Sequence, residues 1–128
     1  MRLIDAPSPN LDARLQPPDM IILHYTGMPT GAEALARLRD PAAQVSAHYL
    51  IEEDGQAFLL VPEERRAWHA GVSFWKGERN LNGVSIGIER RRLFTCPPVP
   101  AQQIPIRSRP LSGTLSRHFV MRCSLGRM

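Results

Sequence analysis

The chain has 128 residues, enough for one small domain with little stability to spare. Its net charge of +4 is unevenly laid out: residues 1–89 hold 12 acids against 8 bases, a balance of −4, while 90–128 hold eight arginines and no acid, a balance of +8. The basicity therefore marks a tail and a boundary, not a nucleic-acid-binding face. Two cysteines, Cys96 and Cys123, exclude a disulfide framework. No run approaches the length of a membrane span, and the N-terminus lacks the apolar core of a secretory signal. A cytoplasmic, membrane-independent monomer is expected, or a periplasmic one if a signal precedes Met1.

Residues 5–18 are rich in Pro, Asn and Asp and read as an extended lead-in. Met20-Ile21-Ile22-Leu23-His24-Tyr25 is a short apolar run ending in polar residues, which suits a buried strand whose C-terminal end reaches a surface. Thr30-Gly31-Ala32-Glu33 has the spacing of a capping box and opens a helix over about 31–39, with Leu35 and Leu38 on one face. Asp40-Pro41 closes it, because a residue before proline avoids the helical region. Val45 to Glu52 and Gln56 to Val61 flank Glu53-Asp54-Gly55, a hairpin signal.

A charged turn, Glu63-Glu64-Arg65-Arg66, then leads to Trp68-His69-Ala70-Gly71. An aromatic, an imidazole and a glycine in a loop suit the wall of a sugar or peptide groove; the plainer reading is a Trp that anchors the loop to the core. Val84 to Glu89 alternates strictly, with Ser85, Gly87 and Glu89 on one side, and reads as a half-buried strand with a polar face. A strand-end carboxylate beside a residue without a side chain leaves room for a ligand; the plainer reading is a solvated Glu. His24 alone is as compatible with a satisfied core histidine as with a metal ligand. Alternation puts His48 and Tyr49 on opposite faces of their strand, so one site does not receive both.

Four runs taken together carry more than any one. Ile21-Ile22-Leu23-His24-Tyr25-Thr26, Val45-Ser46-Ala47-His48-Tyr49-Leu50-Ile51, Ala67-Trp68-His69-Ala70-Gly71 and Asn82-Gly83-Val84-Ser85-Ile86-Gly87-Ile88-Glu89 occur in the order and spacing of the type 2 N-acetylmuramoyl-L-alanine amidases. The chain resembles that family over about residues 18–89, and the family resembles peptidoglycan-recognition proteins and T7-type lysozyme in fold. The resemblance implies an α/β fold, a mixed central β-sheet flanked by helices, incomplete at the C-terminus. It implies zinc-dependent hydrolysis of the amide between N-acetylmuramic acid and L-alanine, in peptidoglycan or muropeptide fragments. It puts a Zn2+ ligand on His24 and the catalytic carboxylate on Glu89. It puts Tyr49, Trp68 and His69 at or beside the substrate groove.

The last third departs from the family. Family members carry two late zinc ligands and a Lys in a Gly-His-Ser-Asp-type motif, and residues 90–128 contain no Asp, Glu or Lys. The zinc site is expected to be incomplete in this chain. One rescue is a set of His24, His118 and Cys123, acceptable to zinc in ligand type. The composition break supports a division into 1–89, the front of an amidase domain, and 90–128, a divergent Arg/Pro-rich tail expected to be disordered, such as a shifted reading frame would produce. Within it, Leu115 to Leu125 is the one stretch with short helix or strand character. The alternative functions are a non-catalytic peptidoglycan-binding module and a truncated, non-functional product. Nucleic-acid binding through the tail is disfavoured, because its aromatics are only Phe94 and Phe119.

Overall fold

The computed structural model describes residues 2–71, 74–75, 78–91 and 118–123. In chain order these form β1 (Leu3–Asp5), β2 (Leu11–Ala13), β3 (Met20–Tyr25), α1 (Gly31–Arg39), β4 (Tyr49–Ile51), β5 (Ala57–Leu59), β6 (Arg65–Ala67), β7 (Phe74–Trp75), β8 (Glu78–Arg79), β9 (Ser85–Arg90) and β10 (His118–Cys123). Six strands make one mixed sheet in the order β1-β5-β4-β9-β3-β10. Only β4 and β5 run antiparallel in it; the other four pairings are parallel. The α/β class and the mixed central sheet expected from the sequence are those observed. Among the described residues α1 is the one α-helix.

Local chemistry explains most of these elements. Thr30 Oγ1 accepts from the Glu33 amide at 3.2 Å, and the Glu33 carboxylate accepts from the Thr30 amide at 3.2 Å, which completes the capping box. Arg37 and Arg39 lie in the last turn, where positive charge suits the helix dipole. The helix buries Ala34 and Leu38 in a cluster with Ala47, Leu50, Leu60, Val61 and Ala67, and Leu35 packs against its edge. Leu50 and Leu60 are almost fully buried, each stabilising the fold by roughly 2 kcal/mol of transfer free energy.

Two features differ from the sequence expectation. The lead-in is not simply extended: β1 adds to the sheet edge beside β5, and β2 pairs with β6 in a separate ribbon. That ribbon begins at Arg65, so the charged turn is shorter than expected; a bidentate Arg66–Asp12 pair joins its two strands. Strand β9 is also not half-buried with a solvated polar side. Its polar face, Ser85, Gly87 and Glu89, is buried, because a second cluster (Met20, Ile22, Ala70, Leu81 and Val84) and the loop after β6 close over it.

Among the described residues the tail enters the sheet as β10. β10 lies parallel to β3 with His118 opposite Met20 and Arg122 opposite His24, so the short element expected near 115–125 is a strand. The rest of the tail, 92–117 and 124–128, including Cys96 and its five prolines, lies outside the described residues.

Candidate active site

The site begins with strand register. β3 and β9 are parallel neighbours, and His24 is the Cα partner of Glu89. Partners in register on parallel strands project to the same face. Both side chains are buried, His24 at 1% exposure and Glu89 at 8%. Leu50 on β4 is in turn the partner of Glu89, which puts a large apolar side chain beside the carboxylate. Burial raises the Glu89 carboxyl from its ordinary value to about 7. A carboxyl that gains and loses its proton near neutral pH is suited to general acid–base work.

A directed chain of hydrogen bonds supports His24 from below. Its Nε2 lies 3.0 Å from His69 Nδ1, with the rings edge to face. His69 Nε2 lies 3.1 Å from Ser85 Oγ, and Ser85 Oγ donates to the Leu81 carbonyl at 2.5 Å. His69 is held by its backbone as well: Asn82 Oδ1 accepts from the amides of His69 and Ala70 at 3.0 and 2.9 Å. The His69 imidazole is kept well below its ordinary pKa, first by burial and then by the ionisable groups packed near it, the Arg14 guanidinium among them.

His48 stands on the same face and is fully buried. Its Nδ1 accepts from the Gly87 amide at 3.0 Å, so the ring proton is on Nε2, which donates to the Arg65 carbonyl at 3.0 Å. A second proton on Nδ1 would meet the Gly87 N–H head on. Burial, the larger cause, and the Arg14 guanidinium hold this imidazole down to about 4. His48 is thus a neutral strut. Arg14, which the sequence gave no reason to single out, donates to the carbonyls of Glu63, Gly83, Arg65 and Ser85 and ties the 63–65 and 83–85 segments together around this strut.

The structure brings together His24, Glu89 and His69. Trp68 stands at the rim: with His69, Gln44, Val45, Ala70, Gly71 and Asn82 it lines an open cavity of about 500 Å³. Its indole hydrogen-bonds to Asp12, which helps hold that carboxylate below its usual range after the larger contribution of Arg66. Tyr49 is not with them. It is the partner of Ile88 on the other face of the sheet, and its hydroxyl donates to Glu63 at 2.8 Å. Burial, then the Glu63 bond, pushes that phenol up to about 12. Of the adjacent pair His48-Tyr49, the face rule therefore gives His48 to the site.

Among the described residues no three His, Cys, Asp or Glu side chains come together to hold a metal. The set of His24, His118 and Cys123 fails on backbone geometry. His118 and Cys123 are five residues apart along the extended β10, roughly 16 Å, and His118 is level with Met20, not with His24. Single-ion ligation needs all its donors within about 2.3 Å of one point. The described residues therefore do not fit a zinc site by themselves, and no step below is routed through a metal.

The mixed sheet thus brings a buried imidazole and a buried carboxyl into register at the ends of two parallel strands. The chain belongs to the N-acetylmuramoyl-L-alanine amidase family (Amidase_2), whose sequence profile matches residues 14–118 and so runs past Glu89 into the tail. It is 38% identical over 102 residues to the 1,6-anhydro-N-acetylmuramyl-L-alanine amidase AmpD of Escherichia coli, covering 65% of this chain and 56% of that protein. Among solved structures it is similar to a selenomethionine AmpD derivative, with a TM-score of 0.66 and 34% identity over 74% of this chain and 64% of that one. It is also similar to AmiD from E. coli in complex with anhydro-N-acetylmuramic acid-L-Ala-D-γ-Glu-L-Lys, with a TM-score of 0.50 and 38% identity over 67% of this chain and 32% of that one. The chain spans just over half the length of the AmpD proteins it matches.

Proposed function

We propose that the chain carries the substrate-facing half of an amidase for the bond between N-acetylmuramic acid and L-alanine. Its substrate class is soluble muropeptide, of the anhydro type named for AmpD and AmiD, met in the cytoplasm. The observation that carries this reading is the in-register pairing of buried His24 and Glu89. Glu89 takes a proton from the attacking water and returns it to the leaving amine. Its burial keeps the carboxyl near pH 7, where both transfers are feasible. Trp68 and His69 line the cavity beside the pair and offer an aromatic face and polar edges to a sugar or peptide.

In this reading His24 is the family's metal-ligand position, and zinc, when bound, supplies Lewis acidity and a more acidic water. The remaining ligands would have to come from outside the described residues. The test is hydrolysis of an N-acetylmuramoyl-L-alanyl peptide by the purified chain with added zinc, read as newly released L-alanine amine together with bound metal. Cleavage that is lost in Glu89→Gln supports the proposal; a folded, zinc-treated chain that neither cleaves nor binds the muropeptide removes it.

The lack of a three-ligand group among the described residues favours a second reading, a muropeptide-binding module without catalysis. Binding by the cavity that is unchanged by a chelator, with no cleavage, selects it. The division at residue 89 and the origin of the tail in a shifted reading frame stand with these proposals, while the disorder expected of the tail does not hold for β10. The coding sequence in the other two frames beyond codon 89 tests that origin.

A further inference from the structure

We infer that Ser85 is a positioning residue that fixes which nitrogen of His24 is basic, acting through His69. A hydroxyl and a carbonyl oxygen 2.5 Å apart repel unless a proton lies between them, so the Ser85 proton points to Leu81 O. Ser85 Oγ then has only lone pairs for His69, and His69 Nε2, 3.1 Å away, carries the ring proton. His69 Nδ1 is left as an acceptor. The 3.0 Å contact with His24 Nε2 therefore requires the proton on His24 Nε2, and Nδ1 is the lone-pair nitrogen of His24. The polarity of the whole relay, from His24 through His69 and Ser85 to Leu81, is set at its far end by one backbone carbonyl.

Every member is anchored. Leu81 lies in the short helical turn Leu81–Gly83, Ser85 is fully buried at the start of β9, and Asn82 holds the His69 backbone. The four members of the relay lie between residues 24 and 85. Removing the Ser85 hydroxyl reverses the balance: a His69 Nε2–H facing an alanine would be a buried donor without an acceptor, which proteins tolerate less than a buried acceptor without a donor. The cheaper state moves the proton to His69 Nδ1, which then donates to His24 Nε2 and shifts the His24 proton to Nδ1. The consequence for catalysis rests on the amidase reading; the tautomers do not.

Long-range 1H–15N correlation spectra of the full 15N-labelled chain read each tautomer directly. Wild type is expected to show Nε2–H for His69 and His24. Ser85→Ala is expected to show Nδ1–H for both, and Ser85→Thr to restore the wild-type pattern. Nδ1–H on His69 in the wild type overturns the inference even if the alanine variant does not fold, and so does a folded Ser85→Ala with unchanged tautomers. On a muropeptide, Ser85→Ala should lower kcat at similar KM, and Ser85→Thr should restore it. A wild-type chain that cleaves nothing while showing the expected tautomers would fault the amidase reading alone.

Discussion

His69 occupies the space that a side chain at Gly87 would fill. A Cβ built on Gly87 would lie 2.3 Å from His69 Cγ and 2.7 Å from its Nδ1. Gly87 sits on the central strand β9, and its amide is held by His48 Nδ1, so the backbone cannot easily retreat. The His69 ring is fixed at both nitrogens, so it cannot either. The glycine is thus a condition for the contact between His69 and His24.

Gly87→Ala should therefore destabilise the chain by about 2 kcal/mol through overpacking and break the His24–His69 contact. Gly83→Ala is the control: a Cβ there meets nothing within 4 Å, and the change should stay within about 0.5 kcal/mol. Urea midpoints of both variants check the pair, and equal midpoints would remove the steric argument.

The pH dependence of stability should be the difference of two opposed slopes. Glu89 is raised from 4.5 to about 7, so it favours the folded state fully below pH 4.5, and that contribution is lost as pH rises through 7. His48 is lowered from 6.5 to about 4, so its contribution is present above 6.5 and is lost as pH falls through 4. Each is worth up to about 3 kcal/mol, and they largely cancel between pH 7 and 4. Glu89→Gln removes one slope. The variant should be more stable than wild type at pH 8 and should lose stability steadily on acidification to pH 4. A wild-type and variant difference that is constant across this range in denaturant melts would contradict the assignment.

How far the sequence reached follows from the range of the interactions. The capping box at Thr30 and Glu33, the apolar run of β3 and the alternation of β9 are local signals, and each element lies where the residues put it. The pairing of His24 with Glu89 became legible only when four motifs were read together, because no local rule sets the register of strands 65 residues apart. Strands β1 and β2 were hidden because their partners, β5 and β6, are distant and the segment is proline-rich. The polar side of β9 looked solvated because alternation cannot tell a buried polar site from water. His48 could be placed on a face but its role could not be read, and Arg14 gave no signal, since both roles come from backbone groups brought in by the fold.

Asn82 should matter as an acceptor, not as an amide. Its Oδ1 satisfies two buried backbone donors, His69 N–H and Ala70 N–H. Asn82→Ala leaves both without a partner at a cost of roughly 2–4 kcal/mol and loosens the cavity wall at His69. Asn82→Asp keeps the acceptor and should retain more of the stability. The thermal midpoints of the two variants decide it: an aspartate variant no better than the alanine one would show that the two amide bonds are not what Asn82 contributes.

Arg14 makes the last case, because its charge is not what the fold uses. The guanidinium donates to four carbonyls from two separate segments, at Glu63 and Arg65 and at Gly83 and Ser85. Burial of the group lowers its pKa despite the favourable charge of Glu63, so the site is costly for a cation and its hydrogen bonds offset that cost. Lysine keeps the charge but presents its three donors from one nitrogen and cannot span that fork. Arg14→Lys should thus be destabilised by at least about 2 kcal/mol, nearly as much as Arg14→Ala. The His48 ring shares the Arg65 carbonyl but takes its tautomer from the Gly87 amide, so that tautomer should survive in the same variants. A lysine variant with wild-type stability in urea would show that a point charge at this position is enough, and the clamp would have no role in holding the strut under Gly87.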